Sequence, residues 1–229
     1  YEHSSVARDL LRTLLEALGA EVVSLGRTEE FVPIDTEAVS ETDARQARLW
    51  ASEFGFDAII STDGDADRPL VGDELGNWLR GDIVCTLCAS YLEAETVVAP
   101  VSCNTAIELS SAFNQVIRTR IGSPYVIEGI QRALAAGSSK VVGFEANGGL
   151  ILGSAIRKND KALAELMTRD AVLPILVLLV LAKTKGCKIS ELLHELPRRF
   201  TASDRLQSFS QEASRLVLAK LAMLAPLER

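Results

Sequence analysis

Three aspartates at alternate positions, Asp63, Asp65 and Asp67, stand directly before Arg68 and just after the apolar run Ala58-Ile59-Ile60. Carboxylates this crowded repel one another by roughly 1 kcal/mol per pair in water, and by about 4 kcal/mol where the effective dielectric falls to ~20. A cation among the three removes that cost. The small residues Gly64 and Ala66 let the loop curl until all three side chains converge on one point. An all-carboxylate ligand set suits a hard ion, Mg²⁺ or Ca²⁺. Three protein ligands underfill an octahedron and leave places for waters or a phosphate oxygen, so the trio reads as a Mg²⁺ site that handles phosphate.

Two other readings compete. Asp63, Asp65, Asp67 and Glu74 fall at positions 1, 3, 5 and 12 of an EF-hand loop. Position 6 of that loop needs glycine for its sharp turn, however, and here it is Arg68 followed by Pro69. The segment before the trio also reads as a short buried strand rather than a helix. A solvated acidic turn is the plainer alternative, since Asp and Gly are ordinary turn residues, but it explains neither the regular spacing nor Arg68.

A second chemical feature follows the apolar pair Val141-Val142. Glu145 and Asn147 lie two residues apart among Gly143, Gly148 and Gly149. A carboxylate and a carboxamide projected from one turn suit two neighbouring sugar hydroxyls; a glycine-rich connector with a self-bonding Asn is the structural alternative. Arg118 and Arg120 add positive charge ahead of Gly122, Ser123 and Pro124, where Ser123 reads as an N-cap and Pro124 as the first helical residue. Helix starts of that kind favour anions, although exposed arginines at a strand end would look the same.

These groups need a scaffold, and 229 residues are enough to bury a core in one large or two ordinary domains. A net charge of −7 without a basic block argues against nucleic acid or an anionic membrane as partner. The longest apolar run, 171–182, is interrupted by Pro174 and too short to span a bilayer. The first residues lack a signal-peptide pattern. Cys85 and Cys88 form a lone C-x-x-C within a helix-like run, and His3 and His194 are far away, so a zinc site is disfavoured. All four cysteines, with Cys103 and Cys187, read as free thiols in a reducing cytoplasm. No catalytic partner for either histidine and no G-x-S-x-G elbow are present, which sets hydrolase triads aside.

Helical and strand-like periodicities alternate, predicting an α/β fold: two consecutive α/β/α domains with mixed sheets and a truncated C-terminal α+β piece. In the first, an amphipathic helix is predicted over 4–18, a strand over 21–24, a helix over 43–54, a strand over 57–61 and a return strand over 69–73. In the second, strands are predicted over 96–99, 116–119 and 140–144, with helices from Asn104 to about Phe113 and from Ser123 to about Ala135. Helices over 169–185 and 189–194, a strand over 198–202 and a helix from Gln211 complete the reading. Domain limits of 1–94, 95–196 and 197–229 follow. The last part is too small to close on its own and the chain opens at Tyr1, so the sequence reads as a piece of something longer.

Taken together, these residues resemble the α-D-phosphohexomutases, the phosphomannomutase and phosphoglucomutase family. Asp63-Gly64-Asp65-Ala66-Asp67-Arg68 matches the family's metal loop, D-G-D-x-D-R. Gly143-Phe144-Glu145-Ala146-Asn147-Gly148 is similar to its sugar loop, G-E-x-S-G, with one extra residue before the glutamate and Asn147 in place of serine. The segments 31–39 and 118–125 also look like a bacterial phosphomannomutase-like subgroup. The order and separation of the loops agree, and the resemblance covers nearly the whole chain.

The resemblance implies a parent of four domains, of which this chain carries the second, the third and the start of the fourth. The first and fourth domains would be its missing partners: one supplies a phosphoserine in a T-A-S-H-N-P-like loop, the other a phosphate-binding R-x-S-G-T loop, and neither motif occurs in this sequence. It further implies Mg²⁺ on Asp63, Asp65, Asp67 and the phosphoserine, Arg68 as a catalytic residue, and Glu145 and Asn147 on the sugar. Gly122 and Ser123 would be in a substrate-contacting loop, where many members have histidine instead of Ser123. The implied reaction moves a phosphoryl group between the 1- and 6-positions of a hexose phosphate, mannose or glucose, through a bisphosphorylated intermediate, in the cytoplasm. The alternatives are a haloacid-dehalogenase-type phosphatase, with Asp65 as nucleophile, and a sugar-phosphate or metal-binding fragment without turnover.

Overall fold

A computed structural model describes residues 1–158, 160–204 and 208–223. Helix α1 (Arg8–Ala17) turns Leu11 and Leu15 inward and leaves Leu10 exposed, so the apolar stripe is narrower than its leucines suggest. Helix α2 (Glu41–Phe54) begins two residues before its expected start because the Ser40 hydroxyl accepts from the Asp43 N–H. It ends at Gly55 in the left-handed conformation. Strands β1 (Ile59–Thr62) and β2 (Pro69–Gly72) form an antiparallel hairpin in which Thr62 faces Pro69. The acidic loop is therefore the hairpin tip.

The second unit is built on a five-stranded mixed sheet in the order β4-β3-β5-β6-β9. Its strands are β3 (Thr96–Pro100), β4 (Gln115–Thr119), β5 (Val141–Phe144), β6 (Leu150–Leu152) and β9 (Leu166–Asp170). β4, β3 and β5 run parallel, whereas β6 and β9 are antiparallel additions. Alternation sorts the side chains. Val97, Ala99, Val142, Phe144, Leu150 and Leu152 share a core with α3 (Gly81–Tyr91). Val98, Val141 and Ile151 pack under α5 (Ser123–Ala135) on the other face. Each fully buried Leu, Ile or Phe here contributes roughly 1.5–3 kcal/mol.

A short helix α4 (Ala106–Leu109) joins β3 to β4, and a small hairpin, β7 (Ile156–Lys158) with β8 (Lys161–Leu163), precedes β9. Helix α6 (Val172–Lys185) is apolar on most of its surface. Ile175, Leu178 and Leu181 pack with Leu11, Val71 and Leu87 in a core shared by both units, which also takes in α7 (Ile189–Leu192). Pro174 is tolerated because it lies in the first turn of α6. Among the described residues no helix is long and apolar enough to cross a membrane.

Several expectations are corrected. The second unit has the predicted mixed sheet between helices, but the described sheet of the first unit is only the two-stranded hairpin. Residues 21–24 and 198–202 are not strands. Among the described residues no sheet edge receives them; in and just after the second segment polar groups bond side chains instead, Thr201 accepting from Asn104 Nδ2 at 2.6 Å and Ser203 from Arg80 at 2.6 Å. The helix expected to run to Phe113 stops at Leu109. The first residues of the helix predicted over 169–185 belong to β9. Helix α3 packs both ways, Cys85, Cys88 and Ala89 in the core of the five-stranded sheet and Val84 and Leu87 in the core with Val71. The final helix, α8 (Gln211–Ala222), is capped by Ser210 and buries none of its residues; residues 205–207 and 224–229 of the expected third part lie outside the described set.

Candidate functional site

The hairpin tip closes on itself before any ligand is considered. The Asp63 N–H donates to the Arg68 carbonyl at 3.1 Å, and the Arg68 N–H returns to Asp63 Oδ1 at 3.1 Å. Ala66 takes a left-handed φ of 64°, which aims Asp65 and Asp67 back toward Asp63. One carboxylate oxygen from each aspartate lies within 4.8 Å of the others. Asp63 is buried, Asp67 half-buried and Asp65 exposed. Burial lifts the Asp63 carboxyl to about 6; the Arg68 N–H opposes the rise, and the charges of Asp65 and Asp67 add to it. Asp67 Oδ1 is buried without a hydrogen-bond donor. Three converging hard oxygens, beside a buried carboxylate oxygen that makes no hydrogen bond, fit a divalent cation. Glu74, the twelfth residue of the EF-hand reading, instead accepts from the Ser190 N–H and hydroxyl, which ends that alternative.

The second feature is a tight turn at the carboxyl end of β5. Glu145 and Asn147 are both buried. The Gly148 N–H donates to the Glu145 carbonyl at 3.0 Å, and Asn147 Oδ1 accepts from the Gly149 N–H at 3.1 Å. The self-bonding reading of Asn147 therefore holds for its oxygen. Behind the turn, Thr36 donates to the Asn147 carbonyl at 2.8 Å and the Cys85 thiol to the Gly148 carbonyl at 3.0 Å. Cys85, Cys88 and Cys103 are buried free thiols, and burial pushes all three pKa values up, away from reactivity.

Arg169, on β9, was not singled out by its sequence context, a lone arginine between Thr168 and Asp170. It pairs with Asp67 and reaches to within 3.6 Å of Glu145, joining the acidic loop to the turn. Arg68 Nε stands 3.5 Å from both Asp63 and Asp67. Burial raises the Glu37 carboxyl, which faces Arg80 and also the Asp35, Asp82 and Glu145 charges; it too escaped the sequence reading.

Gly122 and Ser123 lie at the carboxyl end of β4, and Glu145 at that of β5. Parallel pairing puts both on one edge of the sheet, with β3 between them. No hydrogen bond or ion pair joins Gly122 or Ser123 to the acidic trio among the described residues. The cap of α5 is Gly122 rather than Ser123, which is the first helical residue. Arg118 is turned inward: its guanidinium grips Glu108 at 2.6 and 2.8 Å and the carbonyls of Pro100, Cys103 and Asn104, so it braces the β3–β4 connection.

Residues 80–200 match the family model described as phosphoglucomutase/phosphomannomutase, alpha/beta/alpha domain III. A phosphomannomutase of Salmonella muenchen is 55% identical over 93% of this chain and 44% of its own length. One of Sinorhizobium fredii is 46% identical over 96% of this chain and 46% of its own. The chain thus spans just under half the length of these relatives. A solved phosphoglucomutase/phosphomannomutase family protein of Burkholderia thailandensis shares the fold, with a TM-score of 0.66 at 18% identity over 87% of this chain and 42% of that one. These similarities leave the haloacid-dehalogenase-type alternative without support. With a family model matched over more than half of its residues, and with that model's helices flanking a mixed sheet in its structure, the chain belongs to the phosphoglucomutase/phosphomannomutase family.

Proposed function

We propose that this chain is the metal-binding and sugar-binding part of a phosphohexomutase that interconverts hexose 1- and 6-phosphates, with Mg²⁺ as its cation. The convergence of Asp63, Asp65 and Asp67 beside a buried Glu145–Asn147 turn is the observation that supports it. The names of the two bacterial relatives favour a mannose phosphate as substrate.

In this reading a bound cation would supply charge neutralisation for the transferring phosphoryl group. Asp63, Asp65 and Asp67 would hold the cation. Arg68 adds positive charge beside the phosphoryl oxygens. Glu145 accepts from a sugar hydroxyl and the Asn147 amide donates to its neighbour, a pair that serves the ring in either orientation. Gly122 and Ser123 line the far side of the same sheet edge, where a phosphate would meet the N–H groups opening α5. A phosphoserine that completes the site would have to come from outside residues 1–229. The buried free thiols suit a cytoplasmic location.

A coupled assay of mannose and glucose phosphates tests this on the full-length protein and on residues 1–229 alone. We expect Mg²⁺-dependent turnover by the first, abolished by EDTA, and negligible turnover by the second. Robust turnover by residues 1–229 would refute the external phosphoserine, and a full-length protein inert toward both sugars would refute the mutase reading.

A further inference from the structure

Arg169 is the one side chain that reaches both the acidic loop and the Glu145 turn by ion pairs among the described residues. The two contacts are unequal. Its Nη2 is in close contact with Asp67 Oδ2, whereas its Nη1 stands 3.6 Å from Glu145 Oε2, too far for a hydrogen bond. The arm lies against the residue that precedes β6: a Cβ on Gly149 would lie 2.7 Å from Arg169 Cδ and 3.0 Å from Cγ. The missing side chain at Gly149 thus leaves the space that the Arg169 stem occupies. At the other end, Asp67 is shared between two guanidinium groups: Oδ2 meets Arg169, while the buried Oδ1 makes no hydrogen bond and has Arg68 Nε 3.5 Å away.

We infer that Arg169 is a positioning residue that releases Asp67 to an incoming divalent cation and closes on Glu145, so that filling of the metal loop is transmitted to the sugar-facing turn. A cation held by the trio draws on the Asp67 charge and repels the guanidinium. Glu145, at present the looser partner, is the other carboxylate within its reach. The shift needed is the difference between 3.6 Å and a charge-assisted hydrogen bond of about 2.8 Å. Lysine, a point charge without a planar fork, cannot engage two carboxylates in the same way. The inference rests on the cation reading of the trio and adds a coupling between two loops.

The test uses the full-length protein, with Mg²⁺ affinity read by calorimetry and hydrogen exchange read at residues 143–149. In the unsubstituted protein Mg²⁺ should slow exchange there. Arg169→Gln should bind Mg²⁺ roughly two- to fivefold tighter, the range of a partly exposed ion pair, and exchange at 143–149 should no longer respond to the ion. Arg169→Lys should keep near-normal affinity but lose the response. An Arg169→Gln protein with unchanged affinity, or with its exchange response intact, overturns the inference. If that variant fails to fold, a full response in Arg169→Lys overturns it equally. Failure of the unsubstituted protein to bind Mg²⁺ would instead strike down the cation reading, and this coupling with it.

Discussion

Gly81 is pressed so closely against Gly148 that a Cβ on the first would lie 2.3 Å from the backbone nitrogen of the second. The first residue of α3 thus abuts the turn carrying Glu145 and Asn147. Gly148, at a φ of 92°, in turn rests on the ring of Pro69, the first residue after the acidic loop. Hairpin, helix start and turn meet through main chain and one proline ring. The separation of the acidic trio from the Glu145–Asn147 turn is accordingly set by backbone contact, with little freedom to drift.

That contact predicts the effect of Gly81→Ala. The added methyl meets backbone that cannot rotate aside, so the variant should lose about 1–3 kcal/mol of stability, as overpacked sites do. Urea unfolding of the full-length protein measures it. A midpoint within error of the unsubstituted protein would mean that the helix start and the turn are not in fixed contact.

Asp65→Asn separates the two roles of the trio. Removing one of three crowded charges relieves repulsion, so without metal the melting temperature should stay level or rise slightly. The increase on adding Mg²⁺ should be largely lost, because ligand-induced stabilisation scales with the affinity that the missing carboxylate supported. Thermal melts with and without Mg²⁺ read both effects; a full Mg²⁺-induced increase in the variant would remove Asp65 from the ligand set.

The Glu108–Arg118 pair predicts a pH dependence. Its hydrogen bond to Arg118 holds the Glu108 carboxyl below its ordinary value. A depressed carboxylate contributes stability above its unfolded pKa and loses it as pH falls through the lower folded value. Because the pair is partly exposed, the contribution should be about 0.5–1 kcal/mol after solvent screening. Glu108→Gln should therefore be the less stable protein at neutral pH, and the difference should shrink below the ordinary carboxylate range. Denaturant melts across pH 3–7 would show it (roughly the span of carboxylate titration); a difference that persists at the acid end would mean that packing, not charge, is at work.

The sequence by itself determined the parts whose signals are local. The alternate aspartates and the apolar strand before them specify an acidic loop, because period-two spacing and small intervening residues act within a few positions. Glycines and prolines around 122–124 and 186 mark helix ends to within a residue or two. Tertiary structure alone decided which distant groups meet. Residues 21–24 and 198–202 have strand-like side chains but receive no partner edge, and backbone N–H groups form a strand only where another strand accepts them. Arg118 looked like a free positive charge until the β3–β4 register placed Glu108 and three carbonyls around it. Arg169 had no marking at all in the chain. It reaches Asp67 and Glu145 because β9 adds to the sheet beside β6 and shared packing of α6 brings the hairpin against that sheet, a matter of register and core contact that no short window of residues encodes.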